Sequence, residues 1–169
     1  MSGFLDQMTN AVPALRRYAR GLCRDQELAD DLVQDCVERA IRKQRLWKPT
    51  GSVQSWMFRM MLNIHRNQMK SRRNKIDSRS VEMFDIDLPQ APEQPGRLAL
   101  TEVSNALAKI PDDQKQALLL VVLEGFSYAD AAKILDIPVG TLMSRISRAR
   151  SLLRSLTHED GLPHLRVVT

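Results

Sequence analysis

Cysteine is scarce in this sequence: two in 169 residues, Cys23 and Cys36, thirteen positions apart and with no histidine near either. That spacing is unlike a CxxC redox pair or a zinc knuckle, so both read as reduced, partly buried thiols. Histidine is scarcer still for a catalytic chain, with only His65, His158 and His164. No glycine loop of phosphate-binding pattern and no cluster of metal ligands is present, which argues against an enzyme and implies neither cofactor nor metal. The longest wholly apolar run, Ala117 to Leu123, is seven residues, far short of the roughly 20 that a membrane span needs. The opening "MSGFLDQMTN" lacks the basic lead and apolar core of a signal peptide, so a cytoplasmic protein is expected.

What the chain has is charge, and it is segregated. The net charge is +5, but from Asp25 to Glu38 there are six acids and no base, and from Arg39 to Ile76 eleven bases and no acid. A run so long and one-signed favours a polyanion partner over a merely solvated face. At 43% hydrophobic and 27% charged the composition is that of a folded chain, with room for one ordinary domain or two small ones.

The periodicity is helical throughout residues 11 to 75. Val12, Leu15, Tyr18, Ala19 and Leu22 mark a first helix; Leu28, Leu32, Val33, Cys36, Val37, Ala40 and Ile41 mark a second, with Asp25 placed to cap it. Pro49, Thr50 and Gly51 break the chain, Ser52 is positioned to cap a third helix, and Val53, Trp56, Met57, Met60, Met61 and Ile64 form its core face. Residues 76 to 97 hold three prolines and five acids against two bases, the composition of a linker. Beyond it Leu100, Val103, Leu107 and Ile110 mark a helix, and Pro111 starts another that Gly125 stops. No strand pattern appears. The expected fold is all-α, with two small helical domains at 10 to 75 and 98 to 156, joined by the linker and followed by a tail from 157 to 169 to which no function is assigned.

Two features point to nucleic acid. In "SYADAAKILDIPVGTLMSRISRAR", Ser127 and Asp130 form an N-terminal cap and small residues allow close helix approach. After the break at Asp136 to Pro138, Leu142, Ile146, Ala149 and Leu153 make one buried stripe. Thr141, Ser144, Arg145 and Arg148 lie on another face, as in a helix-turn-helix whose second helix enters a major groove. A plain helical hairpin would show the same pattern with a solvated arginine face. On the third helix Arg59, Asn63, Arg66, Lys70 and Arg73 follow steps of four, three, four and three, flanked by His65, Asn67 and Arg72. Such a stripe neutralises phosphates. His65 is read as a polar surface group, not a metal ligand.

Three stretches, "ADDLVQDCVERA", "SVQSWMFRMMLNIHRNQMKSRR" and "IPDDQKQALLLVVLEGFSYADAAKILDIPVGTLMSRISRAR", carry a resemblance to bacterial RNA polymerase sigma factors of the extracytoplasmic-function (ECF) group of the sigma-70 family. The resemblance covers roughly residues 10 to 156, and parts are similar to the general-stress subgroup of alphaproteobacteria. It implies that Asp30, Asp31, Leu32, Gln34, Asp35 and Glu38 dock on the clamp coiled coil of the polymerase's largest subunit. It assigns Arg59, Asn63, Arg66, Asn67, Lys70 and Arg73, with the preceding loop from Lys43 to Gly51, Trp47 and Lys48 included, to the melted minus-ten element. Ser127, Thr141, Ser144, Arg145 and Arg148 are assigned to the minus-thirty-five element, in a domain that also meets the polymerase flap. Trp47 is read either as part of a pocket for an unstacked base or as a packing residue. The resemblance further implies an anti-sigma factor as regulator, a middle domain replaced by the linker alone, and a role in a stress or envelope response. Asn67 and Met143 depart from the family, which often has aspartate and lysine there. A stand-alone helix-turn-helix regulator and an antagonist that mimics a sigma factor are the competing readings.

Overall fold

The computed structural model describes residues 3–23, 25–77 and 95–157. Among these residues the fold is all helical, with α1 Phe4–Leu22, α2 Gln26–Lys43, a 3-10 turn Gln44–Leu46, α3 Val53–Asp77, α4 Pro95–Lys109, α5 Asp112–Val122, α6 Tyr128–Leu135 and α7 Val139–Leu156. Most of the expected linker, 78–94, and the tail beyond Thr157 lie outside the described residues. No described helix is long and apolar enough to cross a membrane.

The expected punctuation is realised in hydrogen bonds. Asp25 accepts from the Glu27 amide at 2.9 Å, Ser52 Oγ from the Ser55 amide at 3.0 Å and Ser127 Oγ from the Asp130 amide at 3.1 Å, each satisfying an otherwise orphaned N–H of a first turn. Gly125, at φ +71, carries the chain out of the α5 segment through left-handed backbone that a side chain disfavours. α1 begins earlier than expected because its buried stripe extends back: Met8 and Ala11 continue the steps of Leu15, Tyr18 and Leu22. Asp6 closes the first turn by accepting from the Gly3 amide.

α1, α2 and α3 pack on one another around Leu15, Tyr18, Leu32, Cys36, Met57 and Met61. Cys36 Sγ donates to the Met57 carbonyl at 3.3 Å, and burial pushes its thiol up to about 12. Cys23, at the end of α1, is only half-buried. Titration of the native chain with a disulfide reagent should therefore modify Cys23 readily, while Cys36 reacts only on unfolding.

In the second module α5 packs against α7 and α6 against both. α6 ends at Asp136, which takes the left-handed conformation (φ 56, ψ 48). The amides of Asp136 and Ile137 then donate to the Lys133 and Ala132 carbonyls, closing the helix and turning the chain into α7.

The two modules also pack directly on one another. α1 packs on α5 and α3 on α6, and one hydrophobic core runs through both modules. Phe58 is fully buried, edge-on to Tyr18 of its own module and to Phe126 of the other, each at 5.2 Å. The physical reason is a second buried stripe on α3, the apolar Phe58 and Leu62 with the polar His65, on steps of four and three. These residues are 0, 0 and 6% exposed.

Candidate polymerase and nucleic-acid interface

α2 turns Ala29, Leu32, Val33, Cys36 and Ala40 into the core. The opposite face presents Asp30, Asp31, Gln34, Asp35 and Glu38, all exposed. Gln34 and Arg42 donate to Glu38, and Gln68 to Asp35, at 3.4–3.5 Å. Leu28 and Ile41, which periodicity assigned to the core, are 36 and 45% exposed and lie at the two ends of this acidic row. Leu32 does not belong to it: at 1% exposure it is a core residue that a partner cannot reach.

The basic stripe of α3 is divided. Asn63, Asn67, Lys70 and Arg73 are exposed. Arg66 is half-buried and donates to the Leu135 carbonyl at 3.3 Å, and Arg59 lies 3.9 Å from the Asp136 carboxylate. Both arginines thus meet the C-terminal end of α6, where the helix dipole and unsatisfied carbonyls favour cations. His65 is buried between the modules, contrary to the surface position expected for it. Its Nε2 lies 3.1 and 3.2 Å from the two Asp112 oxygens.

Trp47 sits half-buried against Phe4, ring centroids 5.7 Å apart, with Trp56 on Phe4 at 5.9 Å. Lys48 is exposed beside it. A cleft of about 360 Å³ opens between α2 and α3, lined by Arg39, Lys43, Leu46, Trp56, Arg59 and Asn63, and Trp47 is not among its walls. Lys43 and Leu46 belong to the loop that the sequence assigns to this role, whereas Arg39 and Trp56 were not singled out for it. Leu46, 68% exposed, is the signal that could have found the cleft, since a large apolar side chain left out in a basic loop has no packing role there.

On α7, Ser144 and Arg148 are exposed, with Ser144 Oγ donating to the Gly140 carbonyl. Thr141 is half-buried. Arg145 folds back to Asp113 at 3.7 Å, its side chain 25% exposed, and the Ser127 hydroxyl is engaged in its cap. The outward face of the first turns also includes Val139 and Met143, 42 and 51% exposed.

A helix-turn-helix packed beside a helix of exposed basic and amide side chains is the equipment of a DNA-directed transcription protein. The matched families give that class a name. Residues 8–62 match the family "Sigma2 domain of PhyR" and residues 100–153 match "Sigma-70, region 4". The chain is 38% identical over 156 residues to the ECF RNA polymerase sigma factor EcfG of Rhodopseudomonas palustris, covering 92% of this chain and 86% of that one. It is 35% identical over 138 residues to the ECF RNA polymerase sigma factor SigC of Mycobacterium tuberculosis, covering 79 and 72%. Among solved structures, the sigma factor RpoE of Bartonella quintana, in complex with the anti-sigma factor NepR, superposes with a TM-score of 0.80 at 34% identity, covering 94 and 98% of the two chains. The chain belongs to the ECF group of RNA polymerase sigma factors. The anti-anti-sigma factor PhyR of Bartonella quintana shares the fold at 14% identity and a TM-score of 0.60, and this chain covers only 49% of it. That likeness is one of fold alone, so the antagonist reading is not favoured.

Proposed function

We propose that this sigma factor binds core RNA polymerase through the acidic outer face of α2, carries it to promoters, and engages the minus-ten and minus-thirty-five elements with α3 and α7. The observation that carries this reading is that one three-helix module presents two exposed surfaces of contrasting chemistry. A row of acids capped by Leu28 and Ile41 suits a protein partner, because interfaces combine apolar and polar groups. The face with Asn63, Asn67, Lys70 and Arg73 suits a nucleic-acid backbone and base edges. The polymerase supplies the catalysis and this chain the recognition, inside the cytoplasm.

The cleft between α2 and α3 supports the capture of an unstacked base, with Trp56 and Leu46 as apolar walls and Arg39, Lys43 and Asn63 as polar ones. Trp47 takes the packing role, and Lys48 remains a phosphate contact. On α7, Ser144 and Arg148 face the minus-thirty-five duplex, joined by Val139 and Met143, which suit thymine methyl groups. Thr141 and Arg145 hold the helix in place, and Ser127 contributes through its cap. An anti-sigma factor is the regulatory partner, in keeping with the complex recorded for RpoE of Bartonella quintana.

Two promoter elements along one duplex call for reading faces further apart than modules packed α1 on α5 and α3 on α6 provide, so productive binding needs the modules apart. Drawn out, the 17 residues from 78 to 94 that join α3 to α4 would reach about 55 Å, against about 23 Å as a free coil. The free protein should therefore bind promoter duplex weakly, and core polymerase should confer tight, specific binding. With roughly five phosphates contacted, the affinity of the polymerase-free chain for single-stranded minus-ten DNA should fall with a log-log salt slope of about −3 to −4. Fluorescence anisotropy across a salt series measures it; a slope near zero would contradict the assignment of α3. In vitro transcription with core polymerase on a promoter library tests the whole reading, and a footprint on duplex by the chain alone, as a dimer, would favour the stand-alone regulator.

A further inference from the structure

The contact between the modules is built from polar groups that neither α2 docking nor DNA reading needs. His65 of α3 faces Asp112 of α5, and Gln116 Nε2 donates to the same carboxylate. The Tyr18 hydroxyl of α1 donates to the Gln116 carbonyl at 3.0 Å, within a wholly buried setting. Arg17 of α1 forms two bonds to Glu124 beyond α5, at 3.1 and 2.7 Å. Around them, Arg66 is occupied by the end of α6, and the exposed Arg59 lies 3.9 Å from Asp136. Gly21 of α1 lies so close to α5 that a Cβ there would stand 3.2 Å from a Leu119 methyl.

We infer that this docking is a self-closing latch: His65 clasps Asp112 across the modules, and closure withholds Arg66 from promoter DNA. The second half of the statement rests on the function proposed above; the first does not. The groups facing His65 are Asp112 and Gln116 from α5, with Lys115 acting on Asp112, and Cys23 at the end of α1. Tyr18, also of α1, is wholly buried beside them, and its hydroxyl is pushed well up by burial and by Asp112, so it stays a donor. Arg66 is the neighbouring cation on α3 itself.

Burial alone would lower the imidazole, but the hydrogen bond and charge of Asp112, aided by Cys23, raise it to about 9. Burial would raise Asp112; His65, Gln116 and Lys115 hold it below its ordinary value instead. With the modules apart both groups face water and return to ordinary values. A raised imidazole favours closure fully below about pH 6.5, and that contribution is lost as the pH climbs through about 9. Asp112 adds a term present above about pH 4 and lost on acidification. From about pH 6 to pH 9.5 the ratio of closed to open forms should fall by at most about two hundredfold. Partial solvent access to Asp112 reduces this to roughly tenfold.

The direct test is the NMR titration of His65 in the full chain, its resonance identified as the one that His65→Gln removes. Titration near 9 in the native protein is expected, with a return to below about 7 in Gly21→Leu, which wedges α1 from α5. Asp112→Asn, which removes the charged partner but leaves α1 untouched, should give the same return. A native value near 6.5, or a raised value retained in Gly21→Leu with full helicity by circular dichroism, would overturn the latch. The second arm is affinity for single-stranded minus-ten DNA without polymerase. Gly21→Leu should bind several-fold more tightly than the native chain at about pH 6.5, and the gain should shrink toward pH 9. Equal affinities at both pH values would overturn the competition between closure and DNA. Absence of DNA binding in both proteins, with the His65 titration as expected, would instead count against the proposed function.

Discussion

Phe58→Ala is expected to cost the folded chain roughly 3–5 kcal/mol, the largest loss of stability for any single truncation considered. Phe58 is fully buried and its ring is edge-on to Tyr18 and Phe126. Truncation removes the transfer free energy of a whole aromatic side chain, leaves a cavity, and forfeits two aromatic pairs of about 0.5–1.5 kcal/mol each. Because one of those partners belongs to the helix-turn-helix module, part of the loss falls on docking. Urea denaturation of the variant should give a much lower midpoint. Phe126→Ala, which leaves the first module's core intact, should loosen docking more than it destabilises α1 to α3. A Phe58→Ala midpoint within about 1 kcal/mol of native would mean that the shared core is not formed in solution.

The second large effect concerns the polymerase. Asp31→Lys combined with Asp35→Lys should weaken binding to core polymerase by at least a hundredfold, since like charges set against a basic partner cost several kcal/mol. The fold should barely notice. Both side chains are exposed, and among the described residues the hydrogen bond lost is the 3.4 Å contact from Gln68 to Asp35. Changes at such positions stay within about 0.5 kcal/mol. Leu32→Ala would also impair transcription, by opening a cavity and lowering stability by about 2–5 kcal/mol. Comparing the two by circular dichroism alongside polymerase binding separates the surface from the core behind it.

The helices and their boundaries were largely legible. Asp25, Ser52 and Ser127 announce first turns because a short side-chain oxygen can satisfy a free amide, and Gly125 announces an end because it can take positive φ. The ECF family was legible from three long stretches. The surfaces were less so. Leu28 and Ile41 fall in step with the α2 core but lie at its edges, where Ala29 and Ala40 take the buried places. Leu32 carries family importance as packing. On α7 the stripe from Thr141 to Arg148 was rotated from the face that emerges, because Arg145 has a partner, Asp113, on a different helix.

The least legible feature was the docking of the modules. Periodicity shows one core face per helix most clearly, and α3 has two. The second stripe, Phe58, Leu62 and His65, ends in a residue that reads as polar surface until Asp112 is placed opposite it. Arg59 and Arg66 are likewise indistinguishable in sequence from Lys70 and Arg73. Only the tertiary contact with the end of α6 separates Arg66, half-buried on the Leu135 carbonyl, and Arg59, beside Asp136, from the two residues that face outward.

The most direct measurement is promoter-specific run-off transcription by alphaproteobacterial core polymerase, with and without the purified chain. A discrete set of transcripts that depends on the chain, and co-elution of the chain with core enzyme, is the predicted result. Failure of the folded chain to associate with core polymerase in the absence of any antagonist would contradict it.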